Sequence, residues 1–461
     1  MADSLEDIDR RTHLHPFTSI AEHAAGGPLV MREGRGIRLK DVRGREYLDA
    51  MAGLWCVNVG YGREELVAAI AAQARQLAYY HSFFSMTTEP AVRLADRLLR
   101  LSPWPMSRVF FGLSGSDAND TQFKLVWLYQ GLRGKPAKRK IIARHRGYHG
   151  VTVASASASG LPLVHARMGL PIPGFVHVRA PHAYRECEPG IDEAQFASQL
   201  AAELDETIRR EGPDTVGAFI AEPVMGAGGV LVPPKAYFPA VQEVLRRHDV
   251  LFIADEVICG FGRLGRTFGG EVFGIEPDLV TLAKGLTSGY VPLSACLISP
   301  RVWAEIEEQA PDIGVFGHGF TYSAHPLAAA AALANLDVLE RDRLFERARR
   351  IGAHLQERLR GELADKPWVG EVRGLGMIAA VELVADPSTR RPFDPALRVG
   401  VRVFRRMLAD GIIVRALGDS IALCPPYVIE VSEVDEIVGA LARAIDGIGA
   451  EIRAAQVSAA G

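Results

Sequence analysis

Two ionisable side chains stand where apolar sequence gives out. Asp255 closes the run VLFIAD (250–255), and Lys284 closes DLVTLAK (278–284). A bare charge at the end of a buried strand is costly, so each needs an opposite charge, several hydrogen-bond partners or a ligand. The 29 positions between them suit one strand–connection–strand step, which would bring both side chains out at one sheet edge. A desolvated lysine there would fall below its ordinary pKa of about 10.4 and could condense with a carbonyl as a Schiff base. It could equally form a buried ion pair with Asp255, and spacing alone does not separate the two.

Two more stretches follow strand-like runs. After SRVFFGL (107–113) comes SGSDAND (114–120). There Gly115 permits close backbone approach, Ser116 supplies an N–H and a hydroxyl, and Asp117 is placed to cap a helical pattern running to Gly131. This is an anion site at a helix N-terminus, or else an ordinary glycine turn before a capped helix. The pattern is not G-x-x-x-x-G-K-[ST], so a nucleotide P-loop is not supported. RHRGYHG (144–150) sets Tyr148 and His149 just past another strand, where a ring can stack on a planar ligand or pack in a core. One molecule would use all four features: a planar aromatic aldehyde bearing a phosphate. The anion site would hold the phosphate, Tyr148 the ring face, Lys284 the aldehyde and Asp255 a protonated ring nitrogen. The constellation therefore points to pyridoxal 5′-phosphate.

These residues need a scaffold. From about 60 to 330 the chain alternates β-rich runs with helical spacing: SRVFFGL, RKIIAR (139–144), VGAFIAEP (216–223), DVLFIADEVI (249–258), DLVTLAK and PLSACLIS (292–299). Near-continuous apolar runs joined by helices predict an α/β fold with a mostly parallel sheet covered on both faces. Ligands then collect at the carboxyl ends of the strands, where all four features fall. An alanine-rich helical tract follows Ala324, and the remainder mixes helices with the strands MIAAVELV and SIALCPP. Near the start, GIRLKDVRGREYLD reads as a hairpin turning at Arg43–Gly44. We expect a large domain over 60–330 and a smaller one built from 1–59 and 331–461.

Bulk properties exclude several functions. With 48% hydrophobic and 23% charged residues and a net charge of −3, nothing suggests a nucleic-acid or anionic-membrane partner. No apolar stretch approaches the roughly 20 residues of a membrane span, and the acidic start MADSLEDIDR is wrong for a secretion signal. Five scattered cysteines without a C-x-x-C pair argue against a disulfide framework or a zinc site, so no metal is expected and a reducing cytoplasm is.

The order of motifs is similar to that of class III aminotransferases, fold-type I pyridoxal-phosphate enzymes, and more narrowly resembles the ω-amine:pyruvate transaminases. The resemblance runs along nearly the whole chain, through HPFT (15–18), YLDAMAGLWCVNVGYG (47–62), SGSDAND, GYHG, AEPVMGAGG (221–229), DEVICGFGRLG (255–265), AKGLTSGYVPLS (283–294), GHGFTYSAHP (317–326) and GIIVRALGDSIALCPP (411–426). It implies a large domain with a mostly parallel seven-stranded sheet and a smaller α+β domain. It implies that Lys284 is the Schiff-base lysine and general acid–base, and that Asp255 pairs with the pyridinium nitrogen. Tyr148 and Val257 would cover the two ring faces, with His149 and Glu222 close by. Gly115 and Ser116 would hold the phosphate, joined by Thr321, with Phe320 beside it, from a neighbouring subunit. A homodimer, or a tetramer built from two such dimers, follows. On the substrate side the resemblance implies an aromatic pocket of Trp55, Phe17, Phe83, Phe84 and Tyr148, and Arg415 as the carboxylate-binding arginine. Asp117 departs from the glutamate many members carry, which keeps the charge and shortens the reach. The implied reaction moves an amino group from a primary amine to a keto acid such as pyruvate. An aminomutase, racemase or decarboxylase on the same fold is the alternative reading.

Overall fold

The computed structural model describes residues 3–460. Its centre is a seven-stranded sheet in the order 108–112, 294–298, 279–282, 251–255, 216–221, 140–144, 175–178. Only Ser294–Ile298 runs antiparallel to its neighbours. The strands from 279–282 to 175–178 pair in parallel with one another.

Side-chain alternation along these strands builds the layers. Ile141, Ala218, Ile220, Leu251 and Ile253 enter a core shared with Phe123 and Val126 of the helix Gly115–Leu132 and Val302 of the helix Pro300–Glu308. Their neighbours Ile142, Phe219, Phe252 and Ala254 enter a second core with Phe196 and Leu200 of the helix Glu193–Glu211 and Val241 of the helix Tyr237–Arg247. Both faces are therefore dry, and every residue of Val216–Ala221 and Leu251–Asp255 is buried. The same parity turns Asp255, two residues beyond Ile253, toward the helix Gly115–Leu132.

The six expected strands of this sheet are present. The seventh, Phe175–Val178, went unread because it is a four-residue edge strand, half-buried and interrupted by His177. Lys284 does not close a strand. The strand stops at Leu282, and Lys284 opens a 3-10 turn, Lys284–Leu286, at φ +41°. That left-handed backbone is strained for a side-chain-bearing residue.

The early hairpin pairs Arg38–Asp41 with Glu46–Asp49. Gly44 sits at φ +84°, while the Asp41 carboxylate accepts the Arg43 and Arg45 N–H groups. Glu46–Asp49 then pairs in parallel with Ile412–Ile413, so residues from both ends of the chain share one sheet. A third sheet holds 369–375, 378–383, 420–423 and 415–417 in that order. Among the described residues no helix is long and apolar enough to cross a membrane.

Candidate active site

At the carboxyl ends of the central strands lies a cavity of about 280 Å³. Its lining includes Gly115, Ser116, Tyr148, His149, Glu222, Asp255, Val257 and Lys284. These residues span most of the sheet domain in sequence, and the topology gathers them because each follows a strand whose end faces the same way.

The helix Gly115–Leu132 begins at the cavity, but not with the expected cap. Ser114 is the N-cap, its hydroxyl accepting the Asp117 N–H at 3.2 Å. Asp117 stands three residues in and reaches back to the Leu113 and Ser114 N–H groups at 2.9 and 3.0 Å. This reciprocal box pins the first turn and leaves Gly115 and Ser116 at the positive end of the helix, against the cavity. A Cβ on Gly115 would stand 3.0 Å from a Val257 methyl, so glycine lets the helix start approach Val257. At Gly150 (φ +134°) a Cβ would come within 2.6 Å of the Ser116 hydroxyl, which itself accepts the Val151 N–H.

Asp255 is held on three sides. One oxygen accepts the Asn119 amide at 2.9 Å and meets His149 Nδ1 at 2.8 Å; the other accepts the Val257 N–H at 3.1 Å. Asn119 is anchored in turn by Thr281 Oγ1 and by the His149 carbonyl. Sequence reasoning missed Asn119, although its place one turn after Ser116 on the same helix was a usable signal. His149 lines the cavity from behind Asp255. It is a fully buried partner of Asp255 whose Nε2 finds no hydrogen bond.

Glu222 acts on the loop that carries Tyr148. Its two carboxylate oxygens accept the Tyr148 and Gly226 N–H groups at 3.1 and 2.8 Å. Burial pushes its carboxyl above the usual range, and nearby Asp255 pushes the same way against His149 and Arg144.

The Lys284 amine forms no hydrogen bond or ion pair among the described residues. Lys284 is half-buried and its side chain lines the cavity. Burial therefore pulls its pKa down, opposed by Cys56, Asp255 and Glu222. The open ion-pair alternative is thus answered: Asp255 spends its hydrogen bonds on Asn119, His149 and Val257. Cys56 also lines the cavity and was not foreseen.

The remaining residues stand elsewhere. Trp55 is 2% exposed, packed in a core cluster with Met51 and Cys424, and is not in the cavity lining. Phe17 is 57% exposed with its ring edge-on to Tyr148 at 6.2 Å. Phe84 is 84% exposed beside Phe83, and Phe83 packs over Gly319. Phe320 and Thr321 lie outside their own chain's cavity; Phe320 meets Phe110, and the Thr321 carbonyl accepts the Tyr79 hydroxyl. Arg415, on the strand Arg415–Leu417, is half-buried near Tyr148. Among the described residues no carboxylate pairs with it.

An unpaired amine, a braced carboxylate, a helix N-terminus and an aromatic ring around one cavity suit an aromatic aldehyde phosphate. No donor in the lining conflicts with it. The fold is that of a fold-type I pyridoxal-phosphate enzyme. The chain belongs to the class-III aminotransferase family, whose description, "Aminotransferase class-III", matches residues 20–445. It is 46% identical over 450 residues to a diaminobutyrate–2-oxoglutarate transaminase of Halomonas elongata, covering 96% of each chain. It is 43% identical to a vanillin aminotransferase of Capsicum chinense, over 96% of this chain and 97% of that one. A solved ω-transaminase of Pseudomonas jessenii in complex with PMP superposes with a TM-score of 0.95 at 46% identity, covering 97% of this chain and 98% of that one. The protein is an aminotransferase that uses pyridoxal 5′-phosphate.

Proposed function

We propose that the enzyme takes an amino group from a primary amine or ω-amino acid and delivers it to a keto acid, pyruvate foremost. The products are an aldehyde or ketone and alanine. The observation that carries this reading is Arg415: a half-buried guanidinium near Tyr148, desolvated by burial and without a carboxylate partner among the described residues. Leaving it so is costly unless an anionic group of the substrate comes to it. The names of relatives span diaminobutyrate with 2-oxoglutarate, γ-aminobutyrate and vanillin, which fits a site that takes amines of varied shape.

Bound pyridoxal 5′-phosphate supplies an electrophilic aldehyde and, with its ring nitrogen protonated, a sink for the electrons left when Cα loses its proton. The chain's residues do the rest. Gly115 and Ser116 would hold the phosphate at the helix N-terminus, with the partner subunit's Thr321. Tyr148 and Val257 would hold the ring, Glu222 keeps the Tyr148 loop in place, and Asp255 would hold the ring-nitrogen proton. Lys284 would carry the cofactor covalently, then take the proton from the substrate's Cα. Its lowered pKa favours the neutral, proton-accepting amine. Arg415 would bind the keto-acid carboxylate.

The same reading includes a large domain over 60–330, a smaller one from 1–59 and 331–461, and a cytoplasmic homodimer. Exposed Phe84, Val315 and Tyr322, with Thr321 exposed and outside its own chain's cavity lining, support the dimer. Phe17, Phe83, Phe84 and Trp55 would shape the amine side of the completed pocket.

The decisive experiment is the visible spectrum of the purified protein. A cofactor band that bleaches with a primary amine and returns with pyruvate supports the reading. A band that returns only with 2-oxoglutarate would change the acceptor, and no band would defeat it. Arg415→Ala should raise the KM for the keto acid by roughly 10²-fold, the loss of about 3 kcal/mol for a charge-assisted contact. Turnover of an apolar amine in the first half-reaction should change much less. Equal losses in both half-reactions would make Arg415 a structural residue.

A further inference from the structure

Away from the cavity, the helices Leu5–Thr12 and Ile20–Gly26 and the segment joining them gather three imidazoles around one carboxylate. We propose that Asp9, His15 and His23 form a site for one divalent transition-metal ion, with His13 as a fourth ligand within reach. Asp9 Oδ1 lies 2.9 Å from His15 Nε2 and 3.1 Å from His23 Nε2. The three ligand atoms all fall within 4.8 Å of one another. Around a tetrahedral zinc with bonds of about 2.0–2.1 Å, neighbouring ligand atoms stand roughly 3.3 Å apart, so the spacing is already close to that of a coordinated set. His13 Nδ1 is 3.2 Å from Asp9 Oδ2, and its ring is 4.3 Å from that of His15.

Hydrogen bonding alone leaves this cluster incomplete. His23 is only 12% exposed at its side chain, yet its Nε2 is buried with no hydrogen bond, despite the short distance to Asp9. A buried, unsatisfied nitrogen 3.1 Å from a carboxylate that two other imidazoles also face, but not directed into a hydrogen bond with it, is what a bound ion would resolve. Imidazole nitrogens with one carboxylate suit zinc, nickel or copper rather than calcium or magnesium. The neighbouring cations do not fill the place: Arg10 pairs with Asp7 and Arg11 with Asp3. The carbonyl end of the helix Leu5–Thr12, capped at His13, adds a partial negative charge. The other comparable cluster, His182 with Glu371 and Glu382, is different because Arg373 and Arg185 already neutralise its carboxylates.

The expectation of no metal looked to cysteine pairs, and these histidines match no cysteine-based spacing. The consequence reaches the active site. The metal would tie both flanks of the segment 13–19, which carries Phe17 to the edge of the Tyr148 ring. It would act as a staple on the N-terminal strap rather than in the reaction.

The test is zinc titration calorimetry on the untagged, cofactor-loaded enzyme after chelator treatment, with hydrogen exchange over residues 13–26. Zinc should bind at one ion per chain and slow amide exchange in that segment. Asp9→Asn and His23→Ala should each weaken binding by at least about 100-fold, more than the roughly 10–100-fold carried by groups outside the ligand set. His354→Ala, which disturbs another histidine–aspartate pair, should leave it unchanged. Absence of saturable zinc uptake, or uptake without slower exchange in the wild-type segment, would overturn the proposal. So would binding that survives both ligand substitutions.

Discussion

Lys284→Ala is expected to lower turnover by roughly four orders of magnitude, the upper end of what a positioned acid–base group contributes. The amine stands in the cavity with no hydrogen-bond or ion-pair partner among the described residues, and burial keeps its pKa down, so none of these is placed to take over its proton transfer. Alanine also removes the only lysine in the cavity lining and with it covalent attachment. Cofactor should therefore still bind, held by Gly115, Ser116, Tyr148 and Asp255, but should be removable by gel filtration. The fold should survive, because alanine keeps the Cβ at the same φ +41° and the lost side chain opens no apolar core. Steady-state turnover, together with cofactor retention on the column, checks both halves. Wild-type rates in a preparation free of host transaminase would show that Lys284 is not the acid–base.

Asp255→Asn carries the second large effect. The substitution keeps the shape but removes the charge that Asn119, His149 and the Val257 N–H are arranged to hold. Breaking a buried charge pair costs about 3–5 kcal/mol, so turnover should drop by roughly 10²–10⁴-fold. An asparagine also offers an N–H where Asn119 already donates, so cofactor affinity should fall in the same variant. The sharper check pairs the two readouts. A cofactor whose ring nitrogen loses its proton should show a changed absorption spectrum as well as slow turnover. A slow enzyme with an unchanged spectrum and unchanged cofactor affinity would place Asp255 in the scaffold and not against the ring.

These expectations draw on both levels of information, unequally. The central strands were legible because burial on both faces turns each into a nearly unbroken apolar run, and so Asp255 and Lys284 stood out as its charged exceptions. The edge strand Phe175–Val178 lacks that run and left no signal. Asp117 was a plausible cap on its own, but Ser114 three residues earlier completes the reciprocal box, a choice made by backbone geometry. Glu222 was legible as part of a motif, whereas its hold on the Tyr148 N–H joins residues 74 positions apart.

The sequence by itself determined the α/β class, the chemistry of the lysine, carboxylate and ring, and the strand ends that carry them. Local propensity and apolar patterning are properties of neighbouring residues, so they survive in one dimension. Tertiary structure alone decided that Asn119 and His149 brace Asp255 and that Arg415 has no carboxylate partner among the described residues. It alone brought three histidines to Asp9, across a turn of the chain. Those facts depend on which face a strand or helix turns toward a distant segment. Packing of the whole chain sets that orientation, and no short window of residues encodes it.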